Sequence, residues 1–124
     1  IFGKKYAEIV SQSTRLKGNV YYLISGHGGP DPGAMTTYAG KAISEDEYAY
    51  DVTLRLAREL LSHSATVYII VRDPDDGIRD ERILEMDRDE VVYPNEPIPL
   101  KVIRVLEIYT PTKPIILLSI LSNL

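Results

Sequence analysis

Residues 20–34 read VYYLISGHGGPDPGA, an apolar run followed directly by a glycine-rich loop. The run is rich in aliphatic and aromatic residues, and it predicts a buried strand over 20–25. The stretch therefore places one histidine, His27, just beyond the carboxyl end of a strand. In open α/β sheets, ligands and metal ions bind at that end, and glycines let them approach the backbone closely.

The sequence after this loop predicts a helix that begins at Ser44. Ser44-Glu45-Asp46-Glu47 has the pattern of a capping box, in which the Ser44 hydroxyl caps the amide of Glu47 and the Glu47 carboxylate reaches back. We expect the helix to end near 62–64. Its predicted apolar face consists of Ala49, Val52, Leu56 and Leu60, widened by Tyr48, Leu54, Ala57 and Leu61, and its polar face of Asp51, Arg55, Arg58 and Glu59.

Two further apolar runs predict buried strands over 66–71 and 115–121. Strand, loop, helix and strand in this order form a βαβ unit, whose strands are parallel and whose crossover is right-handed. Residues 26–43 are expected to form a long loop, and residues 73–97 are expected to form a polar, irregular segment that begins with a turn. Residues 101–109 are a candidate helix. The whole chain, 1–124, is expected to be a single domain.

Composition excludes several classes of site and partner. The net charge is −4 and no basic run is interleaved with aromatic residues, which argues against a nucleic-acid partner. The chain contains no cysteine, so a metal ion would need His, Asp or Glu ligands. No apolar run is long enough to span a bilayer. No secretory signal is visible, and composition alone leaves the compartment open.

His27 and Glu45 are the candidate metal ligands. If the sheet is parallel, His27 leaves the top of the first strand and Glu45 lies in the first turn of the crossover helix. A hydrolytic zinc site needs three protein ligands and an open position for water, which becomes acidic enough to attack at neutral pH. Spacing alone leaves a second interpretation open, in which His27 bonds to the loop backbone and Glu45 only complements the helix dipole.

Residues 26–34, followed by 44–47 at a helix start, resemble the zinc-dependent N-acetylmuramoyl-L-alanine amidases, cell-wall enzymes with a GHGGxDPGA loop and a downstream glutamate. The resemblance covers residues 19–72. It implies a Rossmann-like α/β fold with a central, mostly parallel sheet flanked by helices. It also implies that His27 and Glu45 are the first and second zinc ligands.

The same resemblance implies an activity, partners and a location. The activity is hydrolysis of the amide between the lactyl group of N-acetylmuramic acid and the L-alanine of the stem peptide. The partners are peptidoglycan fragments (muropeptides), and the location is the cell envelope, either periplasmic or extracellular.

The chain departs from this family after residue 100, and residues 101–124 are atypical. The family's third ligand is a histidine in a Ser-Ile-His-Ala-Asn-like segment, whereas residues 119–123 read SILSN and place Leu121 at the histidine position. The family's catalytic glutamate near the C-terminus has no recognisable counterpart either. With two ligands, Zn²⁺ is expected to be weakly held or absent.

Two explanations of this departure are open: a degenerate relative that has lost its site, or a coding sequence interrupted after about Leu100, so that the C-terminus is truncated. The change in the character of the sequence after Leu100 favours the interrupted coding sequence. The alternative functions are an inactive remnant that acts as a cell-wall binding module, and a metallopeptidase or deacetylase of the same α/β type.

The remaining candidates have weaker signals. Asp31 either orients the His27 ring or sets the loop turn. Tyr38 is a candidate for a substrate groove, as are Tyr48 and Tyr50, although Tyr48 suits a core position equally well. His63 is expected at the helix C-terminus, roughly 25 Å from Glu45 and too far to share a metal ion. A truncated sheet with exposed edges would also favour a homo-oligomer.

Overall fold

The computed structural model describes residues 1–28, 31–70 and 76–87, together with the backbone of 115–120. A short 3-10 helix, Lys4–Tyr6, precedes the regular elements of this part of the chain. In chain order those elements are β1 (Val20–Ser25), β2 (Met35–Tyr38), β3 (Lys41–Ser44), α1 (Glu45–Ser62), β4 (Thr66–Ile69) and β5 (Ile115–Ile120). The predicted α/β class is confirmed at this level.

The larger sheet has the strand order β4-β1-β5, and both pairings are parallel. β1 is its central strand, with Val20 opposite Thr66 on one side and Ile115 on the other. Strands predicted from apolar runs alone are thus present, and β1, α1 and β4 form the predicted βαβ order. The expectation that β4 is buried is wrong, because it lies at an edge of the described sheet with Thr66 and Tyr68 exposed.

The core lies between α1 and one face of β1. Tyr21 and Leu23 alternate inward from β1 and form a buried cluster with Ala57 and Ala65. Leu54 and Ala49 of the helix are fully buried as well. This packing confirms the helical periodicity, and it fixes the orientation of α1 across the strand that carries the His27 loop.

Two expectations for the helix faces are wrong. Val52 is 45% exposed, whereas Asp51 is buried. Asp51 is buried because its carboxylate accepts hydrogen bonds from Arg55 Nε and from the backbone amide of Arg79, at 2.6 and 2.9 Å. These two donors compensate the burial of the Asp51 carboxylate, which the helical pattern alone places on the solvent-exposed face.

The expected long loop over 26–43 contains a hairpin, so that expectation is also wrong. β2 and β3 pair antiparallel, with Tyr38 opposite Lys41. The two connecting residues, Ala39 and Gly40, have φ values of 49° and 77°. Two successive positive φ values are the requirement of a tight type I′ turn, which suits the twist of paired strands.

The expected capping box does not form. Ser44 is both the last residue of β3 and the N-cap of α1, and its side chain makes no cap hydrogen bond. Its Oγ is buried without a hydrogen-bond partner among the described residues. The Glu47 carboxylate contacts Arg79 Nη1 at 2.9 Å instead, because a charged donor from a distant segment competes with the local backbone amide.

The predicted end of the helix is confirmed. α1 ends at Ser62, where the backbone N–H of His63 donates to the Leu60 carbonyl and that of Ser64 donates to the Leu61 carbonyl. No helix among the described residues is long and apolar enough to cross a membrane. The candidate helix over 101–109, the turn at 73–75 and Leu121 lie outside the described residues.

Candidate metal centre

His27 lies two residues beyond β1, in a loop that is closed by its own backbone. Gly28 N donates to Asp31 O at 2.7 Å, and Asp31 N donates to Gly28 O at 3.3 Å. His27 itself has a φ of 61°, which is uncommon for a residue with a side chain. The loop therefore holds the imidazole at the carboxyl end of the central strand, half-buried rather than extended into solvent.

Asp31 fixes the orientation of the His27 ring. Its Oδ2 lies 2.9 Å from His27 Nδ1, and its Oδ1 accepts the backbone N–H of Gly33 at 3.0 Å. Both roles considered for Asp31 are thus present, since it orients the ring and sets the turn. This hydrogen bond raises the pKa of His27 and lowers the pKa of Asp31. With Nδ1 engaged, Nε2 is the nitrogen left for a metal ion.

Glu45 meets His27 from the first turn of α1. Its Oε2 lies 3.3 Å from His27 Nε2 and accepts the backbone N–H of Ala34 at 3.1 Å. The backbone of Glu45 returns a bond to Ala34 O at 2.9 Å, and Asp46 N donates to Pro32 O at 3.2 Å. The start of the helix is therefore joined to the loop that carries the histidine.

The separation of the two candidate ligand atoms matches that of two ligands of one zinc ion. Ligand atoms that each lie about 2.0–2.1 Å from a tetrahedral zinc ion are about 3.3 Å apart. The distance from His27 Nε2 to Glu45 Oε2 is 3.3 Å. The second Glu45 oxygen, Oε1, is buried with no hydrogen-bond partner among the described residues. An ion or a ligand at this position would supply the missing partner.

Gly33 packs directly against both candidate ligands. A Cβ at this position would lie 2.6 Å from His27 Cδ2 and 2.8 Å from Glu45 Oε2, and the φ of Gly33 is 68°. A side chain at this position would therefore strain the backbone and force His27 and Glu45 to shift. The glycine permits the close approach of the imidazole and the carboxylate.

A third ligand is not found beside this pair in the described part of the chain, where the only cluster of three potential ligands lies elsewhere. The sheet topology nevertheless brings a later strand to the same edge. β5 ends at Ile120 directly opposite Ser25, two residues before His27. β5 therefore ends beside the start of the loop that carries His27, and Leu121, at the expected histidine position, lies outside the described residues.

A second group of acidic side chains, missed by the sequence reasoning, could hold a metal ion. Carboxylate oxygens of Glu47, Asp76 and Asp87 lie within 4.8 Å of one another. Arg79 Nη1 lies 2.9 Å from Glu47 and 3.4 Å from Asp87, so a cation already balances part of the charge. Burial raises the pKa of Glu47 to about 7. No spacing pattern in the sequence links these three segments.

The other candidates lie away from the pair. Tyr38 is 61% exposed at the end of β2, while Tyr50 is buried. His63 lies at the opposite end of the helix, where Nδ1 contacts Ser13 Oγ at 2.8 Å and Nε2 contacts Glu59 Oε1 at 3.1 Å. His63 is thus a helix C-terminal residue, as predicted.

A pocket of about 280 Å³ opens beside Glu45, between the hairpin and the first turn of α1. It is lined by Ala34, Met35, Thr36, Ile43, Ser44, Glu45 and Tyr48. Of the three candidate tyrosines, Tyr48 is the one in this lining. The pocket therefore shares one carboxylate with the candidate metal pair.

Comparisons of the chain with protein-family models, curated proteins and solved structures gave no match.

Proposed function

We propose that this chain is a zinc-binding domain of the peptidoglycan amidase type, acting on the amide between N-acetylmuramic acid and L-alanine of the stem peptide. One observation carries the proposal. His27 Nε2 and Glu45 Oε2, separated in sequence by a hairpin, lie 3.3 Å apart at the carboxyl end of the central strand. A location in the cell envelope belongs to the same proposal.

The residues around the pair prepare it for a metal ion. Asp31 accepts the N–H of His27 Nδ1, so the lone pair of the neutral ring is on Nε2. Ala34 N holds Glu45 Oε2, while Oε1 is free of donors among the described residues. When bound, zinc would activate a water molecule and polarise the amide carbonyl. The chain's own contribution is to orient both ligands and to bury the carboxylate.

The metal is tested by titrating the metal-free full chain with zinc. We expect one equivalent to bind, and His27→Ala and Glu45→Ala each to abolish that stoichiometric binding. His63→Ala and Glu59→Ala are matched controls, because these residues form a second histidine–glutamate pair at 3.1 Å on the same helix. Zinc binding no tighter in the wild type than in His27→Ala would overturn the proposal.

The reaction is tested with an N-acetylmuramoyl-L-alanyl dipeptide and zinc-loaded protein. We expect release of a free L-alanine amino group by the wild type, and none by Glu45→Ala. Release of a product by cleavage of a different bond would contradict the amidase assignment while leaving the metal site intact.

A second candidate function is a binding module without turnover. It is favoured by the ligand count, since the described residues offer two ligands and the sequence has Leu121 at the position where the third is expected. A module of this kind binds the muramoyl dipeptide as metal-free protein and releases no product. The zinc content of the purified chain, together with calorimetry and the product assay on the same preparation, separates the two functions.

A further inference from the structure

We propose that Ser13, His63 and Glu59 form a second reactive site, the Ser13 group, in which the Ser13 hydroxyl is a nucleophile for small esters with good leaving groups. His63 and Glu59 belong to the C-terminal end of α1, whereas Glu45 begins that helix. The Ser13 group therefore works without the metal pair, and it goes beyond the proposed function.

The hydrogen bonds of His63 are those of a general base. Its Nδ1 lies 2.8 Å from Ser13 Oγ, and its Nε2 lies 3.1 Å from Glu59 Oε1. An ionised carboxylate only accepts hydrogen bonds, so in the neutral ring Nε2 carries the proton and Nδ1 has the lone pair. A hydroxyl, a base and a carboxylate that orients the base are the parts of an activated nucleophile, here with the two ring nitrogens exchanged relative to the serine hydrolase template.

The proton of the Ser13 hydroxyl is directed at His63. The backbone N–H of Arg15 donates to Ser13 Oγ at 3.3 Å, and this contact uses a lone pair of the oxygen and not its proton. Among the described residues, His63 Nδ1 is the only acceptor for that proton. The O–H bond therefore points to the nitrogen that has to take the proton when Oγ attacks.

The turn that carries Ser13 is held against the end of the helix. The backbone N–H of Ser13 donates to Ser62 O at 3.3 Å, and that of Leu16 donates to His63 O at 3.0 Å. The Ser64 hydroxyl donates to Ser13 O at 2.8 Å, from a backbone with a φ of 69°, which is uncommon for a residue with a side chain. Such a conformation persists only where the surrounding contacts hold it. The backbone therefore sets the position of the hydroxyl relative to the ring.

The donors around Ser13 limit the substrate class. The N–H of Thr14, directly after Ser13, makes no hydrogen bond among the described residues, so it is available to a developing oxyanion. The N–H of Ser13 itself is already used by Ser62 O. Loss of one oxyanion donor typically costs about 10²–10³-fold in rate. We therefore expect activated esters to acylate Ser13 and amides to remain uncleaved.

The reaction is a two-step acyl transfer through Ser13. Oγ attacks the ester carbonyl carbon while its proton moves to His63 Nδ1, and the C–O bond to the leaving group breaks. The leaving group takes that proton, and the acyl group remains on Ser13 as an ester. Water then attacks this ester and gives a proton to His63, which returns it to Ser13 Oγ as the carboxylic acid is released.

The experiment uses the full chain, an excess of chelator and p-nitrophenyl acetate. Intact mass spectrometry counts the acetyl groups on the chain, and peptide mapping locates them. Ser13→Ala removes the nucleophile. Ser11→Ala is the matched control, because Ser11 is an exposed serine two residues away whose hydroxyl makes no hydrogen bond among the described residues.

We expect one acetyl group on Ser13, at the same rate in Ser11→Ala and absent from Ser13→Ala. His63→Ala should lower the acylation rate by about a hundredfold or more, because it removes the general base. Added imidazole should restore part of that rate, which a misfolded variant would not show. Glu59→Ala should have a smaller effect, and Glu59→Asp, which keeps the charge, should recover part of the loss.

An acetyl group on a lysine or on the amino terminus in place of Ser13 would overturn the site, as would an undiminished acylation rate in His63→Ala. Ester cleavage that requires zinc would assign the reaction to the metal pair and would also overturn the site. Failure of the chain to bind zinc overturns the proposed function alone, because the Ser13 group is tested with metal ions removed.

Discussion

The two ends of α1 each carry a histidine–glutamate pair. At the N-terminal end, His27 Nε2 and Glu45 Oε2 are 3.3 Å apart, and at the C-terminal end His63 Nε2 and Glu59 Oε1 are 3.1 Å apart. The distances are similar, but the surroundings differ. The side chain of Glu45 is 15% exposed and that of Glu59 is 63% exposed.

Under the proposed function, it is the surroundings of the first pair, and not the distance between its ligand atoms, that single it out as the metal site. The first pair lies at the carboxyl end of the central strand, has a carboxylate on the far side of its imidazole, and packs against a glycine. The second pair has the Ser13 hydroxyl in the corresponding place, and its glutamate is largely in water. Burial and orientation, and not distance, distinguish the two.

Among variants that keep both candidate ligands, the largest effect on zinc affinity is expected from Gly33→Ala. The added Cβ would lie 2.6 Å from the His27 ring and 2.8 Å from Glu45, so both ligands must move. Overpacking of this kind costs about 1–3 kcal/mol, which corresponds to a loss of up to about a hundredfold in zinc affinity. Competition with a chelator measures the affinity.

Gly40→Ala is the control for backbone strain. Its φ of 77° is similar, but nothing lies within 4 Å of the added Cβ. We expect a loss of about 1–2 kcal/mol in folding stability and no change in zinc affinity. Equal zinc affinities of the two variants would show that the contact with the ligands is unimportant.

A comparable or smaller loss of zinc affinity is expected from Asp31→Asn, which removes the charge that orients the His27 ring. Loss of such a partner typically lowers metal affinity by about 10–100-fold. Ser13→Ala removes the corresponding partner of His63, and we expect it to leave zinc affinity unchanged. The same chelator competition measures both, and an effect of Ser13→Ala as large as that of Asp31→Asn would contradict the distinction between the pairs.

The pH dependence of zinc affinity is a further test of the role of the first pair. The hydrogen bond to Asp31 raises the pKa of His27, and zinc binds only the neutral ring. Zinc affinity should therefore fall by up to about tenfold per pH unit once the pH is below that raised pKa. Asp31→Asn should move the midpoint of this fall to lower pH.

Without zinc, the titration of His27 makes the folding stability fall as the pH rises, which is opposite to the direction for zinc affinity. A raised pKa of His27 in the folded state contributes stability that is fully present below the unfolded pKa of about 6.5 and is lost as the pH rises through the folded pKa. Urea unfolding of the metal-free chain across this range measures the loss. A metal-free stability that rises with pH in wild type relative to His27→Gln would contradict this assignment.

The smallest change is expected at Glu47, which lies two residues from Glu45 but outside the metal pair, and it concerns folding stability and not zinc affinity. Burial raises its pKa to about 7, so its contribution to stability is present below about pH 4.5 and is lost as the pH rises through about 7. The expected loss between pH 6 and 8 is about 1 kcal/mol. Glu47→Gln should flatten this dependence without changing zinc affinity, and unfolding curves at both pH values test it.

The parts of the fold that follow local patterns were predictable. The apolar runs located β1, β4 and β5, and helical spacing located α1 to within one residue at its start. The βαβ order then brought His27 and Glu45 to one edge of the sheet, although the spacing by itself did not require their contact. The glycine-rich loop supplied the remaining signal.

The hairpin was missed because its local signal is weak. β2 reads MTTY and is exposed at every position, so it lacks the alternation of a half-buried strand. The turn uses Ala39-Gly40 in place of the asparagine- or aspartate-glycine pair that marks type I′ turns. The pocket that the hairpin lines in part was missed with it.

The capping box failed for a long-range reason. Arg79, 32 residues away, attracts the carboxylate that the local pattern assigned to the helix start. The same arginine donates its backbone N–H to Asp51, which explains why that residue is buried on a face expected to be polar. Contacts between distant segments of opposite charge leave no periodic trace in the sequence.

The position of β1 between β4 and β5 has a consequence for biosynthesis. β4 follows α1 closely in the chain, whereas β5 comes much later. Until residues 115–120 emerge from the ribosome, one edge of VYYLIS offers unpaired backbone groups, and such an apolar edge readily recruits a strand of another molecule. Nascent chains are therefore most vulnerable to aggregation in the interval between synthesis of β4 and synthesis of β5.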